Sequence, residues 1–175
     1  MTKILYVLSR DISLFSLPGL RKIRNLAYSR HLKVSGLNVD SNVKIQALHH
    51  NPLASINIGN ELHVGADCVI DLSGIVKIGN RVTVSEGAKI YTHSHPIDGG
   101  GQDWRQNKLS FSELTIEDDV WIGAGAIVLS SVTYIGKGSV IAAGSVVRHD
   151  VESMSVVAGI PSRYIRKRQV SFKNE

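Results

Sequence analysis

Two histidines in one short segment are the residues best suited to chemistry in this sequence. His93 and His95 stand two positions apart within Tyr91–Asp98, and a proline follows His95 directly. A neutral imidazole is a common general base near neutral pH, and it is also a common metal ligand. The pair therefore predicts proton abstraction from a bound acceptor or a metal site, with two ordinary loop histidines as the alternative.

An internal repeat determines which elements position this pair. Aliphatic residues recur at steps of six in several groups, and a glycine often follows them. A helix face recurs at three and four and a simple strand alternates at two, so a period of six indicates a short strand and a turn repeated along an axis. The residues in register are Val39 and Ile45; Ile58, Val64 and Ile70; Ile78, Val84 and Ile90; Ile116, Ile122 and Val128; and Ile135, Ile141 and Val147.

The repeat predicts an all-β fold class, a solenoid of stacked coils. Three strands close a triangle, so about eighteen residues make one coil, and each aliphatic residue is expected to stack on its equivalent in the next coil. The glycine that follows, as at Gly65 and Gly123, is expected to supply corner conformations that side chains resist. Chance alternation in an ordinary β-sandwich is the alternative.

Breaks in the repeat divide the chain into three parts. We expect an N-terminal helical cap over residues 1–36, the solenoid over 37–150, and a basic tail with a short helix over 151–175. Residues 92–113 are too many for a corner and are predicted to form an extruded loop, a kind of segment that is often functional. The helical segment is expected to cover the open end of the solenoid, and attachment to a membrane surface is the alternative.

Composition and charge narrow the functional classes. The 175 residues are 43% hydrophobic and carry a formal charge of +5, which excludes a disordered chain. No recognition helix or aromatic stacking surface accompanies the charge, so no nucleic-acid partner is expected. The single cysteine, Cys68, cannot form an internal disulfide, and we recognise neither a signal peptide nor a membrane span. These features predict a cytoplasmic location.

Three segments resemble the hexapeptide-repeat acyltransferases, in the sugar O-acetyltransferase branch that includes galactoside, maltose and polysaccharide-biosynthesis acetyltransferases. They are residues 92–96 (Thr-His-Ser-His-Pro), 119–123 (Asp-Val-Trp-Ile-Gly) and 157–163 (Val-Ala-Gly-Ile-Pro-Ser-Arg), within a similarity that covers 56–168. The resemblance implies a left-handed parallel β-helix, acetyl-CoA as co-substrate, and a homotrimer with active sites between subunits.

The resemblance also implies roles for residues near the loop. The catalytic histidine of the family precedes a proline and falls on His95, which would take a proton from the acceptor hydroxyl. Asp71 lies where relatives contact the acceptor; it could bind a hydroxyl or hold His95, and an exposed corner carboxylate is the alternative. His93 could orient His95, contact the acceptor or be passive. Trp121 is expected to line the acyl groove or to pack against the loop.

Coenzyme A contacts in the family come from small residues of the later coils and from the basic tail. Small side chains let the pantetheine arm lie flat, and arginine suits phosphate groups. No metal is expected, because the branch that resembles carbonic anhydrases needs three histidines spaced one coil apart, and this sequence shows no matching spacing. By match, the predicted cofactor residues are Ala124, Ala143, Arg148, His149, Arg163 and Arg166.

These observations predict an acetyl-CoA-dependent O-acetyltransferase that acts on a sugar or a polysaccharide precursor, with His95 as the general base. One alternative is N-acetylation of an amino sugar or nucleotide-sugar, or acetylation of an antibiotic. Another is a solenoid scaffold or binding module without activity, which would leave His95, the extruded loop and the basic tail unexplained.

Overall fold

The computed structural model describes residues 2–11, 17–98 and 103–170. Residues 99–102 of the predicted loop and residues 171–175 of the predicted tail lie outside the described residues. Two helices, α1 (Thr2–Asp11) and α2 (Arg21–Leu32), come first, with a 3-10 turn at Pro18–Leu20 before α2. The short strands that follow are numbered β1 to β18 in chain order.

The strands wind into coils with three flat sides, because consecutive strands join three different sheets and the fourth strand returns to the first sheet. The first sheet contains β1 (Asn38–Val39), β4 (His63–Val64), β7 (Thr83–Val84), β12 (Trp121–Ile122), β15 (Val140–Ile141), β17 (Ser155–Gly159) and β18 (Ser162–Lys167). The second contains β2 (Lys44–Gln46), β5 (Val69–Asp71), β8 (Lys89–Ile90), β13 (Ile127–Val128) and β16 (Val146–Val147). The third contains β3 (Ser55–Ile58), β6 (Ile75–Ile78), β11 (Glu113–Ile116) and β14 (Tyr134–Ile135).

The predicted stacking of aliphatic residues is confirmed by the register of these sheets. Val64 pairs in parallel with Val39 on one side and with Val84 on the other, and Ile122 continues the column. The same register unites the residues of the other two sheets, from Ile45 to Val147 and from Ile58 to Ile135. No single coil could bury these side chains, so the stack of coils makes the core.

The reason predicted for the repeated glycines was wrong. Neither Gly65 nor Gly123 has a positive φ, but a Cβ on either would stand 2.6 Å from a backbone nitrogen of the next coil. Their missing side chain therefore lets adjacent coils approach to hydrogen-bonding distance. Left-handed backbone occurs instead within the turns that precede the strands, for example at Asp67 (φ 60°) and Gly87 (φ 70°).

The two helices cover the first coil through specific polar contacts. The Tyr28 hydroxyl donates to the Val43 carbonyl at 2.5 Å, and Arg24 Nε donates to the Val39 carbonyl at 3.0 Å. The Tyr6 hydroxyl also donates to the carbonyl of Ile45. These donors satisfy carbonyl groups near the open end of the stack, as expected for a cap. Among the described residues, no helix has the length and apolar character needed to span a membrane.

The short C-terminal helix predicted after residue 150 was wrong. The chain forms an antiparallel hairpin of β17 and β18, which meet at Gly159 and Ser162. Val157 continues the buried column of Ile141, so β17 completes the first sheet. A helix would have left the outer edge of β17 without partners, whereas a strand satisfies its backbone groups.

Candidate active site

The solenoid is interrupted after β8. Instead of continuing directly to the third sheet, the chain makes an excursion and joins that sheet only at β11. The two ends of this excursion touch, because the Ser112 N–H donates to the Thr92 carbonyl at 2.9 Å. Two strands of the excursion, β9 (His93–Ser94) and β10 (Ser110–Phe111), pair in antiparallel fashion. Thr92 is buried and β11 begins at residue 113, so the excursion occupies residues 93–112.

The carboxylate of Asp71 lies under the start of this excursion and is fully buried at the end of β5. Its Oδ1 accepts hydrogen bonds from Ser73 Oγ at 2.5 Å and from the Leu48 N–H at 3.2 Å. Its Oδ2 accepts from the Thr92 N–H at 3.0 Å and contacts His93 Nδ1 at 2.6 Å. One side chain thus connects three successive coils.

The environment of Asp71 keeps the carboxyl group ionised. Burial alone raises its pKa, but hydrogen bonds from His93, Ser73 and two backbone N–H groups outweigh burial and lower the pKa from 3.8 to about 2. The ionised oxygen is an acceptor, so the Nδ1 of His93 carries a hydrogen, and in the neutral form of the ring Nε2 is the acceptor. Asp71 therefore contacts His93 and not His95, and its burial excludes the alternative of an exposed corner carboxylate.

Three histidine rings meet at the mouth of the site. His49 lies 4.4 Å from His93 and 5.2 Å from His95 between ring centroids, and His93 lies 5.5 Å from His95. The His93 side chain is only 11% exposed, whereas His95 is exposed and has the Trp104 ring edge-on at 5.9 Å. The accessible imidazole of His95 thus lies next to the buried Asp71–His93 pair.

His49 is a site residue that sequence reasoning missed. It belongs to the segment between Ile45 and Ile58, where the step between aliphatic residues of the repeat is thirteen instead of six. In the structure the His49 N–H donates to Ser73 Oγ at 2.8 Å, which places the insertion on the coil before Asp71. The irregular step was the signal that could have identified it.

An open cleft of about 370 Å³ adjoins the histidines. Its lining includes His93, His95 and Tyr91 on one side and the corner at Leu129–Ser131 on the other. The cleft brings an accessible imidazole next to a space that is large enough for a small polar acceptor or a thioester group.

The predicted cofactor residues fall into two separate groups. Ala124 and Ala143 lie on stacked corners and line a groove of about 340 Å³ together with Trp121. The indole N–H of Trp121 donates to Ser85 Oγ at 2.9 Å, and the ring is half exposed. This groove shares no lining residue with the histidine cleft.

The second group lies at the last coil and the C-terminal hairpin. His149 and Arg163 line a cavity of about 490 Å³ there. The Arg148 Nε donates to His149 Nε2 at 3.1 Å, and Arg166 is exposed on β18. The structure therefore offers cationic side chains near the hairpin and small side chains on the corners of the later coils, in two places instead of one.

Comparisons with known proteins show similarity to several acetyltransferases. No family model matches it. It is 33% identical over 115 residues to a galactoside O-acetyltransferase of Escherichia coli, a match that covers 65% of this chain and 55% of that protein. It is 38% identical over 108 residues to a serine acetyltransferase of Bacillus subtilis, with 62% and 44% covered. The chain spans about half the length of the curated relatives it matches.

Solved structures extend the similarity over nearly the whole fold. A hexapeptide-repeat-containing acetyltransferase from Vibrio cholerae matches with a TM-score of 0.73 and 25% identity, over 97% of this chain and 93% of that one. The same protein in complex with acetyl coenzyme A matches at 0.69 and 26%, over 97% and 86%. A maltose O-acetyltransferase from Clostridium difficile matches at 0.66 and 29%, over 97% and 85%.

Proposed function

We propose that the chain is a hexapeptide-repeat acyltransferase, and specifically an acetyl-CoA-dependent O-acetyltransferase that acts on a sugar or a polysaccharide precursor. The observation that carries the proposal is the accessible His95 imidazole, which stands beside an open cleft and against the buried Asp71–His93 pair. The similarity to galactoside and maltose O-acetyltransferases supports a sugar as the acceptor.

In the proposed reaction His95 is the general base. A ring nitrogen of His95 accepts the proton of the acceptor hydroxyl while the hydroxyl oxygen attacks the carbonyl carbon of the thioester. A carbon–oxygen bond forms, the carbon–sulfur bond breaks, and the thiolate of coenzyme A leaves and takes up the proton from His95. Both substrates are held together in one site, so proximity replaces a covalent acyl-enzyme intermediate.

We assign supporting roles to the residues behind His95. Asp71 is a positioning residue, since its ionised carboxylate fixes the ring and the tautomer of His93. The Nε2 of His93 is then free to accept a hydrogen bond from the acceptor. Trp104 stands edge-on to His95 and supplies an apolar wall for the ring of a sugar.

Acetyl-CoA would use the two groups of predicted cofactor residues. The corner groove at Ala124 and Ala143, beside Trp121, suits a pantetheine arm because small side chains let it lie flat. The phosphates would be bound by cationic groups near the hairpin, for which the candidates are Arg148, His149, Arg163 and Arg166. The acetyl-CoA complex of the Vibrio cholerae protein supports this use of the fold.

The distribution of these grooves also leads us to infer the assembly. The corner groove and the His95 cleft share no residue within one chain, so a groove from a neighbouring subunit would complete the site. We infer a homotrimer of left-handed β-helices, with each active site between two subunits.

A second acceptor class has its own support. The 38% identity to a serine acetyltransferase makes the hydroxyl of serine a candidate acceptor. Both classes use the same base and the same thioester, so the acceptor alone distinguishes them.

An acceptor panel tests the proposal directly. Purified protein is mixed with acetyl-CoA and a galactoside, maltose, an amino sugar or serine, and release of the free thiol of coenzyme A is followed. We expect release with a sugar hydroxyl acceptor and a rise in Tm with acetyl-CoA alone, because a ligand that binds only the native state stabilises it. Release with serine only would replace the sugar, and no rise in Tm would contradict acetyl-CoA binding.

A further inference from the structure

The three histidines at the mouth of the site form a second constellation in addition to a proton-transfer site. One potential ligand nitrogen from each of His49, His93 and His95 lies within 4.8 Å of the others. Three neutral imidazoles suit borderline divalent ions such as Zn²⁺, Co²⁺ and Ni²⁺ more than Mg²⁺ or Ca²⁺, which prefer oxygen ligands. The relatives compared above give no indication of a metal, so the inference depends on the geometry of this chain.

His93 is already oriented as a metal ligand. Its Nδ1–H donates to the buried carboxylate of Asp71 at 2.6 Å, which leaves the lone pair of Nε2 directed away from that carboxylate. A carboxylate behind a ligating histidine is the usual arrangement in zinc sites, because it fixes the ring and raises the basicity of the ligating nitrogen. The fold therefore orders this ligand before an ion binds.

The other two histidines can complete the site with small movements. Zinc–nitrogen bonds of about 2.0–2.1 Å require ligand nitrogens about 3.3 Å apart in a tetrahedron. The separation of up to 4.8 Å must shorten by about 1.5 Å, which rotation of side chains can provide. His95 is exposed and His49 is half-buried, while the backbone of His49 is held by the Ser73 hydroxyl at 2.8 Å.

We propose that His49, His93 and His95 bind one divalent transition-metal ion per chain, and that the bound ion blocks acetyl transfer. A histidine nitrogen that donates its lone pair to a metal cannot accept a proton, so metal binding and general-base catalysis by His95 exclude each other when the same nitrogen serves both. The binding site stands on geometry alone, and the inhibition rests on the proposed function.

Metal titration of the purified protein tests the binding site. Metal-free protein is titrated with Co²⁺ while visible absorption is followed, and the affinity for Zn²⁺ is measured by competition with a chromophoric chelator. We expect one ion per chain and a Co²⁺ spectrum with nitrogen ligands. His49→Ala should weaken Zn²⁺ binding by at least about 100-fold, since loss of an outer-shell partner alone costs 10–100-fold.

The neighbouring residue provides the matched control. His50 is exposed and lies next to His49 in the chain, but it does not belong to the cluster, so His50→Ala should bind Zn²⁺ as the wild type does. Circular dichroism and Tm establish that both variants are folded. Equal Zn²⁺ affinity in wild type and His49→Ala, or no binding by the wild type, would overturn the metal site.

The activity arm separates this inference from the proposed function. Thiol release is measured for the wild type and for His50→Ala in a chelator and then with rising Zn²⁺. We expect loss of activity over the concentration range in which Zn²⁺ binds. Zinc binding without any transferase activity would support the metal site and contradict the proposed reaction. Full activity at saturating Zn²⁺ would contradict the inhibition alone.

Discussion

The carboxylate of Asp71 links the stability of the solenoid to the order of the site. It accepts hydrogen bonds from backbone or side-chain donors on three coils, and it also orients His93. A buried ionised group is stable only when its acceptor positions are filled, and here donors of Leu48, Ser73, Thr92 and His93 fill them. The same atoms therefore serve folding and the proposed chemistry.

Replacing Asp71 with asparagine should lower the stability of the solenoid and disturb the order of the site. The amide is nearly the same size, but its NH₂ group would face donors such as the Thr92 N–H, which leaves a buried polar group without an acceptor. We expect the free energy of unfolding to fall by about 2–4 kcal/mol in urea denaturation. The control Asp98→Asn, at an exposed position of the excursion, should change it by less than about 0.5 kcal/mol. Equal effects in the two variants would contradict the role of Asp71.

The only cysteine of the sequence should be unreactive in the folded protein. Cys68 is fully buried in the column of small residues beside Ala88, and burial raises the pKa of its thiol from 9.0 to about 11. At pH 8 this shift alone lowers the thiolate fraction about 100-fold, and the thiolate is the reactive form. Mass spectrometry after iodoacetamide treatment should show at least about 100-fold slower modification of native protein than of urea-unfolded protein. Similar rates would show that the coil around Cys68 opens readily.

The individual site residues were only partly predictable from the sequence. The proline after His95, in a segment that resembles the acyltransferases, was enough to predict a role for this histidine. The structure places it at an open cleft. The contact between Asp71 and His93 and the approach of His49 could not be predicted, because they depend on which residues of three different coils share one corner. The spacing of aliphatic residues determines the period of the coils, but the position of His49 depends on the path of the insertion after Ile45.

At the scale of elements, the excursion depends on how tightly its two ends are held against the coil below. Gly74 lies under the point where they meet, and a Cβ there would stand 2.0 Å from the Ser112 carbonyl oxygen and 2.9 Å from the Thr92 Cβ. The absence of a side chain at this position lets β11 rejoin its sheet directly after the excursion.

Gly74→Ala should therefore separate the ends of the excursion. We expect a loss of about 2 kcal/mol or more in the free energy of unfolding, as for overpacking in a core, together with reduced thiol release because His93 follows Thr92. Gly19→Ala is the matched control, since a Cβ at Gly19 would meet nothing within 4 Å. If the two variants unfold at the same urea concentration, close packing at Gly74 is not what holds the excursion.

The elements with a local periodicity were predictable, and those fixed by long-range pairing were not. The columns from Val39 to Ile141 follow from the step of six alone, because every coil repeats the same buried position. The hairpin of β17 and β18 replaces the predicted helix because the edge of the last coil needs a partner strand. The residue pattern of the basic segment Ser162–Lys167 does not by itself indicate that it pairs with this edge.

At the scale of the whole molecule, the proposed assembly has a measurable mass. The small-residue groove near Ala124 and the cleft of His95 share no lining residue in one chain, and the inferred trimer would bring them together between subunits. Light scattering after size-exclusion chromatography should give three times the chain mass of 19.0 kDa. A single species with the mass of one chain that still releases thiol with an acceptor would contradict a shared active site.

The central claim is that His95 is the general base for acetyl transfer, and substitution of this one side chain tests it most directly. His95→Ala and the control His50→Ala are compared with the wild type for acceptor-dependent thiol release in the presence of a chelator, with Tm and its rise with acetyl-CoA as checks on folding and binding. We predict that His95→Ala lowers kcat by about 10²–10⁴-fold, the usual contribution of a general base, while its response to acetyl-CoA is kept and His50→Ala is unaffected. A His95→Ala protein that transfers acetyl groups at the wild-type rate would contradict the account.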